Sequence, residues 1–296
     1  MSPAAKRVRL PSAVPIGTAL LRRWPLPDPA ATEGKEDRGR VLVVGGSAEV
    51  PGAALLAGIA ALRAGAGKLQ IVTARPAAMA LAIAVPEARV IGQPIGRGGE
   101  IARLQRAALE AAAGCDAALV GPGMAHNAGA ARIAAQVIAH SRQPLVLDAG
   151  ALAAHATCRQ AASTVVLTPH HGEMARIMDV PIEDIAAEPA RAAATLAARC
   201  GAIVVLKGAV TFIASPSREA WINREGSVAL GTSGSGDVLA GVIAGLLARG
   251  APAEQAAVWG VYLHARAGAA LERRHGQVGS LAREIAAEIP ALMASF

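Results

Sequence analysis

The chain has 296 residues, of which 53% are hydrophobic and only 2% aromatic, with a formal charge of +7. That length suits one large α/β domain or two small ones with a substantial core, and the lack of aromatics argues against base-stacking platforms for single-stranded nucleic acid. The arginines are scattered rather than gathered in a stripe, so the charge suits an anionic small ligand such as a nucleotide, and no nucleic-acid partner is expected.

Residues 1–38 read as an irregular N-terminal arm with one short helix over 16–23. Lys6, Arg7 and Arg9 precede an apolar stretch, but Pro11 and Pro15 interrupt it, which makes a poor signal peptide. From Arg40 onward, apolar runs at 41–44, 69–73, 117–120, 145–147, 165–167 and 203–206 alternate with Ala-rich helical patterns. Those helices are expected over 52–66, 101–113, 128–140 and 189–200. Short, continuously apolar strands each followed by a helix predict a mostly parallel sheet covered on both faces, in one domain over 39–296. Residues 211–214, 220–222 and 228–230 read as short strands of a hairpin region. Helices over 235–249, 253–272 and 281–288 close the chain, with Trp259 and Tyr262 expected to pack on the core. Cys115, Cys158 and Cys200 are far apart and form no C-x-x-C pair, so neither zinc nor a disulfide is expected and a reducing cytoplasm fits. No uncharged apolar run reaches the roughly 18 residues of a membrane span.

Several motifs fall at expected strand ends, where ligands bind in doubly wound sheets. Gly45-Gly46-Ser47 and then Pro51-Gly52-Ala53 lie between the first strand and its helix; an ordinary βα loop reads the same way. Arg63-Ala64-Gly65-Ala66-Gly67-Lys68 is not a P-loop, because its first glycine would fall at Leu62 and Leu69 stands where Ser or Thr is needed. It reads as a helix end leading into a strand. Gly121-Pro122-Gly123 gives either close backbone approach to a ligand or a tight structural turn. Asp148 is either a group that positions a substrate hydroxyl or magnesium-bound water, or a helix N-cap. In Thr168-Pro169-His170-His171-Gly172-Glu173, His170 is the candidate ligand contact, and Glu173 suits the first turn of a helix. Lys207-Gly208-Ala209-Val210-Thr211 offers an ammonium, a flexible glycine and a hydroxyl to a nucleotide. Only four of the 29 basic residues are lysines, which gives Lys207 added weight.

The densest signal is Gly231-Thr232-Ser233-Gly234-Ser235-Gly236-Asp237, which opens an apolar helix pattern. Such a turn aims backbone N–H groups and the positive end of a helix dipole at one point, a site suited to phosphate. Asp237 would repel that phosphate unless it faces a hydroxyl that must lose its proton to reach a phosphoryl group.

With these residues together, the chain resembles the ribokinase-like superfamily, whose Gly-x-Gly-Asp anion hole is matched by Gly234-Ser235-Gly236-Asp237. Within it, the chain looks most like the ADP-dependent NAD(P)H-hydrate dehydratases, through collinear motifs that include Pro-Gly-Ala-Ala, Gly-Pro-Gly, Leu-Asp-Ala, Thr-Pro-His-x-Gly-Glu-Met, Leu-Lys-Gly and Gly-Ser-Gly-Asp. The resemblance implies a three-layer α/β/α sandwich. It also implies that Ala53, Gly123, His170 and Asp237 contact the hydrated nicotinamide nucleotide, and that Lys207, Gly208, Ala209, Val210, Thr211 and Gly236 hold the adenine nucleotide. Two departures stand out: Ser233 where glycine is expected, and His171 where proline or another residue is common.

The implied reaction restores NADH or NADPH from the S epimer of NADHX or NADPHX, with ADP as phosphoryl donor, magnesium on the phosphates, and AMP and phosphate as products. Asp237 would take the ring hydroxyl's proton while the amides of Ser235–Asp237 neutralise the transferring phosphoryl. With an ordinary pKa of about 3.9, an aspartate is a weak base. The resemblance further implies a homo-oligomer, a tetramer, and a separate epimerase, since a 38-residue arm is too short for that domain. A ribokinase-like kinase of a hydroxymethyl-pyrimidine or hydroxyethyl-thiazole, or a non-catalytic nucleotide sensor, would share parts of this pattern.

Overall fold

The computed structural model describes residues 12–28, 34–35 and 37–296. Lys6, Arg7, Arg9 and Pro11 lie outside the described residues. Ten strands form one sheet in the order β1-β10-β9-β8-β7-β6-β5-β2-β3-β4. The parallel part comprises β2 (Arg40–Val44), β3 (Lys68–Ala74), β4 (Ala88–Gln93), β5 (Ala117–Val120), β6 (Leu145–Leu147), β7 (Val165–Leu167) and β8 (Ile203–Leu206). Then β9 (Thr211–Ala214) runs antiparallel to both β8 and β10 (Ala220–Asn223).

Both faces are covered, which is why the strands read as unbroken apolar runs. Val41, Val43, Leu119, Val146 and Val166 enter one core with α2 (Gly52–Arg63), α9 (Ser235–Ala248), α10 (Ala253–His275) and α11 (Ala282–Met293). Leu42, Val44, Val120, Leu147 and Leu167 enter the opposite core. There they meet α4 (Arg106–Ala113), α5 (Ala128–His140), the 3₁₀ helix Ala149–Gln160, α6 (His171–Met178) and α8 (Pro189–Cys200). This is the expected three-layer sandwich. Helix α9 lies almost backbone to backbone on α2: a Cβ at Gly241 would stand 2.2 Å from the Ala57 carbonyl oxygen, and one at Gly245 2.4 Å from that of Ala61. That close approach fixes where the start of α9 sits.

Several elements differ from expectation, each for a local reason. Helix α2 stops at Arg63 because Gly65 turns left-handed (φ 101°) before β3. The segment expected as helix over 101–113 stays extended through Gln105, whose N–H donates to Gln93 Oε1, while Ile101 bridges Ile95; helix α4 begins only at Arg106. Residues Val228–Leu230 are a 3₁₀ turn rather than a strand, capped by Ser227 Oγ accepting from the Ala229 N–H. The unit α3 (Arg75–Ala84) and β4 was not anticipated: α3 buries only Ala77 and Leu81, so it lacks a clean apolar stripe.

The described part of the arm belongs to the same core. Strand β1 (Val14–Pro15) extends the sheet beside β10, and α1 (Thr18–Arg23) follows it. Trp24 stacks on Trp221, and its carbonyl accepts from Trp259 Nε1 at 2.8 Å. Trp259 and Tyr262 are buried, as expected. The three cysteines are free and buried. Among the described residues no helix is long and apolar enough to cross a membrane.

Candidate active site

The carboxyl ends of β6, β7 and β8 bring three polar side chains together. Asp148 follows β6, Thr168 follows β7 and Lys207 follows β8. Asp148 Oδ1 accepts from Thr168 Oγ1 at 2.7 Å and pairs with Lys207 Nζ at 2.9 Å. The Asp148 side chain is only 3% exposed, so its charge depends on these partners. Asp148 does precede the 3₁₀ helix, but its side chain makes no capping bond. The N-cap reading therefore does not hold for the side chain, which instead pairs with Lys207. The Asp148 carbonyl lies so close to Gly121 that a Cβ there would approach within 1.8 Å. Ala149, next in the chain, is held left-handed (φ 46°), a strained conformation of the kind that clusters at functional sites. Burial opposes charge on Lys207, yet the carboxylates of Asp148, Glu173 and Asp237 together raise its pKa above the ordinary lysine value.

The glycine-rich turn forms the second wall. Gly234 is left-handed (φ 88°) and α9 starts at Ser235. The Ser235 N–H is already spent on the Thr232 carbonyl at 3.2 Å. The amides open to a ligand are therefore those of Gly236 and Asp237, which have no acceptor within the helix, rather than the three expected. His264, deep in α10, braces this turn: its Nε2 lies 3.0 Å from both the carbonyl oxygen and Oγ of Ser235. A carbonyl can only accept, so Nε2 carries the hydrogen. Burial pushes the His264 pKa down to about 4, which keeps the ring neutral.

Asp237, in the first turn of α9, is not an ordinary aspartate. Burial, reinforced by the nearby Asp148 carboxylate, pushes its pKa up to about 7, against a counteracting pull from Lys207. The expectation of a weak base with an unshifted pKa is corrected accordingly.

The third wall lies where the strand order reverses, between β2 and β5. The Gly46 N–H donates to the Pro122 carbonyl at 2.7 Å, which ties the two loops together. Gly123 is left-handed (φ 68°), and a Cβ there would stand 2.9 Å from Ala53 Cβ, so these two residues share one surface. Ala53 is one helical turn before Leu56, which touches the glycine-rich loop at Gly234. His170 follows β7 and stands beside Lys207, to which it is bridged in parallel. Its Nδ1 accepts from the N–H groups of Gly172 and Glu173 at 3.0 and 3.2 Å, and Glu173 Oε2 accepts the His170 N–H at 2.8 Å. This reciprocal cap occupies Nδ1 and leaves Nε2–H, 3.6 Å from Glu173 Oε2, as the group open to a ligand.

A cleft of about 770 Å³ is lined by His170, Lys207, Gly208, Ala209, Thr211 and Gly236, with Leu230, Leu239 and Val261 as its apolar side. Val210 does not line it, nor do Ala53, Gly123 and Asp237. The motifs do not contain Asn223 or His264, and they give no role to the side chains of Thr168 and Ser235. Only a buried polar residue inside an apolar pattern, as His264 is within α10, could have flagged them.

Comparisons with known proteins identify the family. The family model described as Carb_kinase, NAD(P)H-hydrate dehydratase, matches residues 41–291. An ADP-dependent (S)-NAD(P)H-hydrate dehydratase of Xanthomonas campestris is 49% identical over 278 residues, which cover 94% of this chain and 95% of that protein. The Bacillus subtilis ADP/ATP-dependent NAD(P)H-hydrate dehydratase, co-crystallised with ATP/Mg2+, superposes with a TM-score of 0.79 at 32% identity, covering 95% and 98% of the two chains. A ribokinase-like superfamily protein of Enterococcus faecalis superposes with a TM-score of 0.80 at 26% identity, covering 98% and 99%. With its ribokinase-like sheet, a family model matched over residues 41–291 and a 49% identical relative, the chain belongs to the NAD(P)H-hydrate dehydratase family.

Proposed function

We propose that this protein is an ADP-dependent dehydratase that repairs the S form of NADHX and NADPHX. The carrying observation is the half-buried Asp237, raised to a pKa of about 7 and set in the turn that offers the Gly236 and Asp237 amides. A phosphate nest alone needs no such group; a nest beside a near-neutral base suits transfer of phosphoryl to a hydroxyl.

The hydrated ring lies against Ala53 and Gly123, with His170 Nε2–H donating to it. ADP occupies the cleft, with Lys207 and the Gly236 amide at its phosphates and Gly208–Thr211 around the nucleotide. The ring hydroxyl attacks the β-phosphoryl group, the bond to AMP breaks, and Asp237 takes the hydroxyl proton. Hydroxide is a poor leaving group, whereas the ester leaves readily as phosphate, and loss of a proton to solvent from the neighbouring ring carbon restores the ring double bond. The products are NAD(P)H, AMP and phosphate.

Among the described residues no three acidic, histidine or cysteine side chains converge tightly enough to cage a metal by themselves. Asp148, Glu173 and Asp237 nevertheless surround one ammonium, an excess of negative charge that suits a magnesium-nucleotide. Asp148 or Asp237 would hold magnesium together with the phosphates, and the ion would neutralise charge on them.

The test is to incubate the protein with NADHX, ADP and magnesium while following absorbance of the reduced ring. Recovery of NADH with one AMP and one phosphate per turnover is expected. ADP consumed only in the presence of a hydroxymethyl-pyrimidine or hydroxyethyl-thiazole, with a stable phosphorylated product, would overturn the reading.

A further inference from the structure

One polar group in the cleft is left without a role by this scheme. Asn223 ends β10 directly opposite Thr211 across the antiparallel β9–β10 pair, and it lines the cleft. It is only 3% exposed. Its Nδ2 donates to the Glu225 carbonyl at 2.7 Å, which fixes the amide orientation, since a flipped side chain would set two acceptors against each other. Oδ1 is thereby committed to the other side, where it is buried and has no hydrogen-bond partner among the described residues.

The surroundings hold it there. Glu225 pairs with Arg266 of α10 at 3.5 Å, and a Cβ on Gly226 would stand 3.0 Å from the Ala209 carbonyl, so this loop packs on the nucleotide loop. An unpaired buried acceptor destabilises the free protein, and each such group calls for an explanation. Phosphate oxygens cannot satisfy it because they are acceptors too. The nucleoside part of a nucleotide can, through the base amino group or a ribose hydroxyl.

We propose that Asn223 determines nucleotide specificity, with Oδ1 accepting a hydrogen bond from the nucleoside part of ADP. This rests on the nucleotide reading of the cleft given above. The experiment is calorimetric titration of the full chain with ADP, inosine diphosphate, which lacks the amino group, and 2′- and 3′-deoxy-ADP. Wild type is expected to bind ADP about tenfold more tightly than the analogue that lacks the matching donor. In Asn223→Leu that ratio collapses to about one. Asn223→Asp keeps the acceptor but sets a carboxylate oxygen against the Glu225 carbonyl, so it lowers overall affinity and retains the ratio. Equal wild-type affinity for all four nucleotides would overturn the proposal, as would an equal loss for all four in Asn223→Leu, the mark of a merely structural role. Failure of wild type to bind ADP at all would instead remove the nucleotide reading, and this inference with it.

Discussion

Lys207 Nζ lies 2.9 Å from Asp148 Oδ1, although 59 residues separate them in the chain, because β8 and β6 are both neighbours of β7. The pair does two things at once: it neutralises a carboxylate that is almost fully buried, and it holds an ammonium at the mouth of the phosphate nest. Lys207→Met should therefore weaken ADP binding and also lower stability by about 3–5 kcal/mol, the usual cost of stranding one partner of a buried pair. Adding Asp148→Asn should restore much of the stability in denaturant titrations and none of the turnover. A double variant no more stable than Lys207→Met would show that the pair is not what sustains this corner.

The raised pKa of Asp237 sets a pH dependence. A base must be ionised to accept a proton, and this carboxyl titrates at about 7. Turnover should rise about tenfold per pH unit on the acid side of that value and level off above it. Asp148 helps to hold the pKa up, so Asp148→Asn should move the midpoint to lower pH. A rate that is flat between about pH 5 and 8, with chemistry limiting, would remove Asp237 as the base.

The same carboxyl has a consequence for stability. The Asp237 pKa goes from 3.8 to about 7 on folding. Between those values the folded state holds a proton that the unfolded state has released. Stability therefore falls by about 1.4 kcal/mol for each pH unit between about 4 and 7, and this contribution is constant above. Asp237→Asn removes this cost. It should abolish turnover, bind ADP with modest loss and melt at higher temperature than wild type at pH 8. The gap in melting temperature should shrink toward pH 4.

How much of this was legible in the sequence depended on whether a residue's partners were close in the chain. Gly234 to Asp237, Lys207 and His170 each sit in a short motif whose chemistry is local, and the alternation of apolar runs with Ala-rich helices located their strand ends. His264 gave no such signal, because its partner Ser235 lies 29 residues away and meets it only through the packing of α10 on α9. Asn223 was hidden for the same reason, since its meaning comes from standing opposite Thr211. Helix α3 and β4 escaped because they lie at the sheet's edge, with Met79 and Ile83 exposed, so burial leaves no period to read.

Ser233 is the irregular residue of the nest when the loop is set beside the family pattern, but the conformational demand falls on its neighbour. Among the described non-glycine residues only Ala149, Asp179 and Arg218 are left-handed, so Ser233 sits in an ordinary backbone region, and it is exposed. Gly234 is left-handed (φ 88°), and a Cβ there would stand 2.5 Å from Leu56 Cδ1. Ser233→Gly should change kcat/KM by no more than about twofold, as expected of a surface position without special contacts. Gly234→Ala should lose about 1–2 kcal/mol to backbone strain, and more in displacing Leu56, with a raised KM for ADP as the amides shift. Gly236→Ala separates strain from crowding. Its Cβ would meet only the Lys207 Nζ, at 3.1 Å, which has to shift by only a few tenths of an ångström and can keep its pair with Asp148. That variant should keep its melting temperature and raise the KM for ADP alone. If Ser233→Gly instead raised activity severalfold while Gly234→Ala melted like wild type, the left-handed turn would have been assigned to the wrong residue.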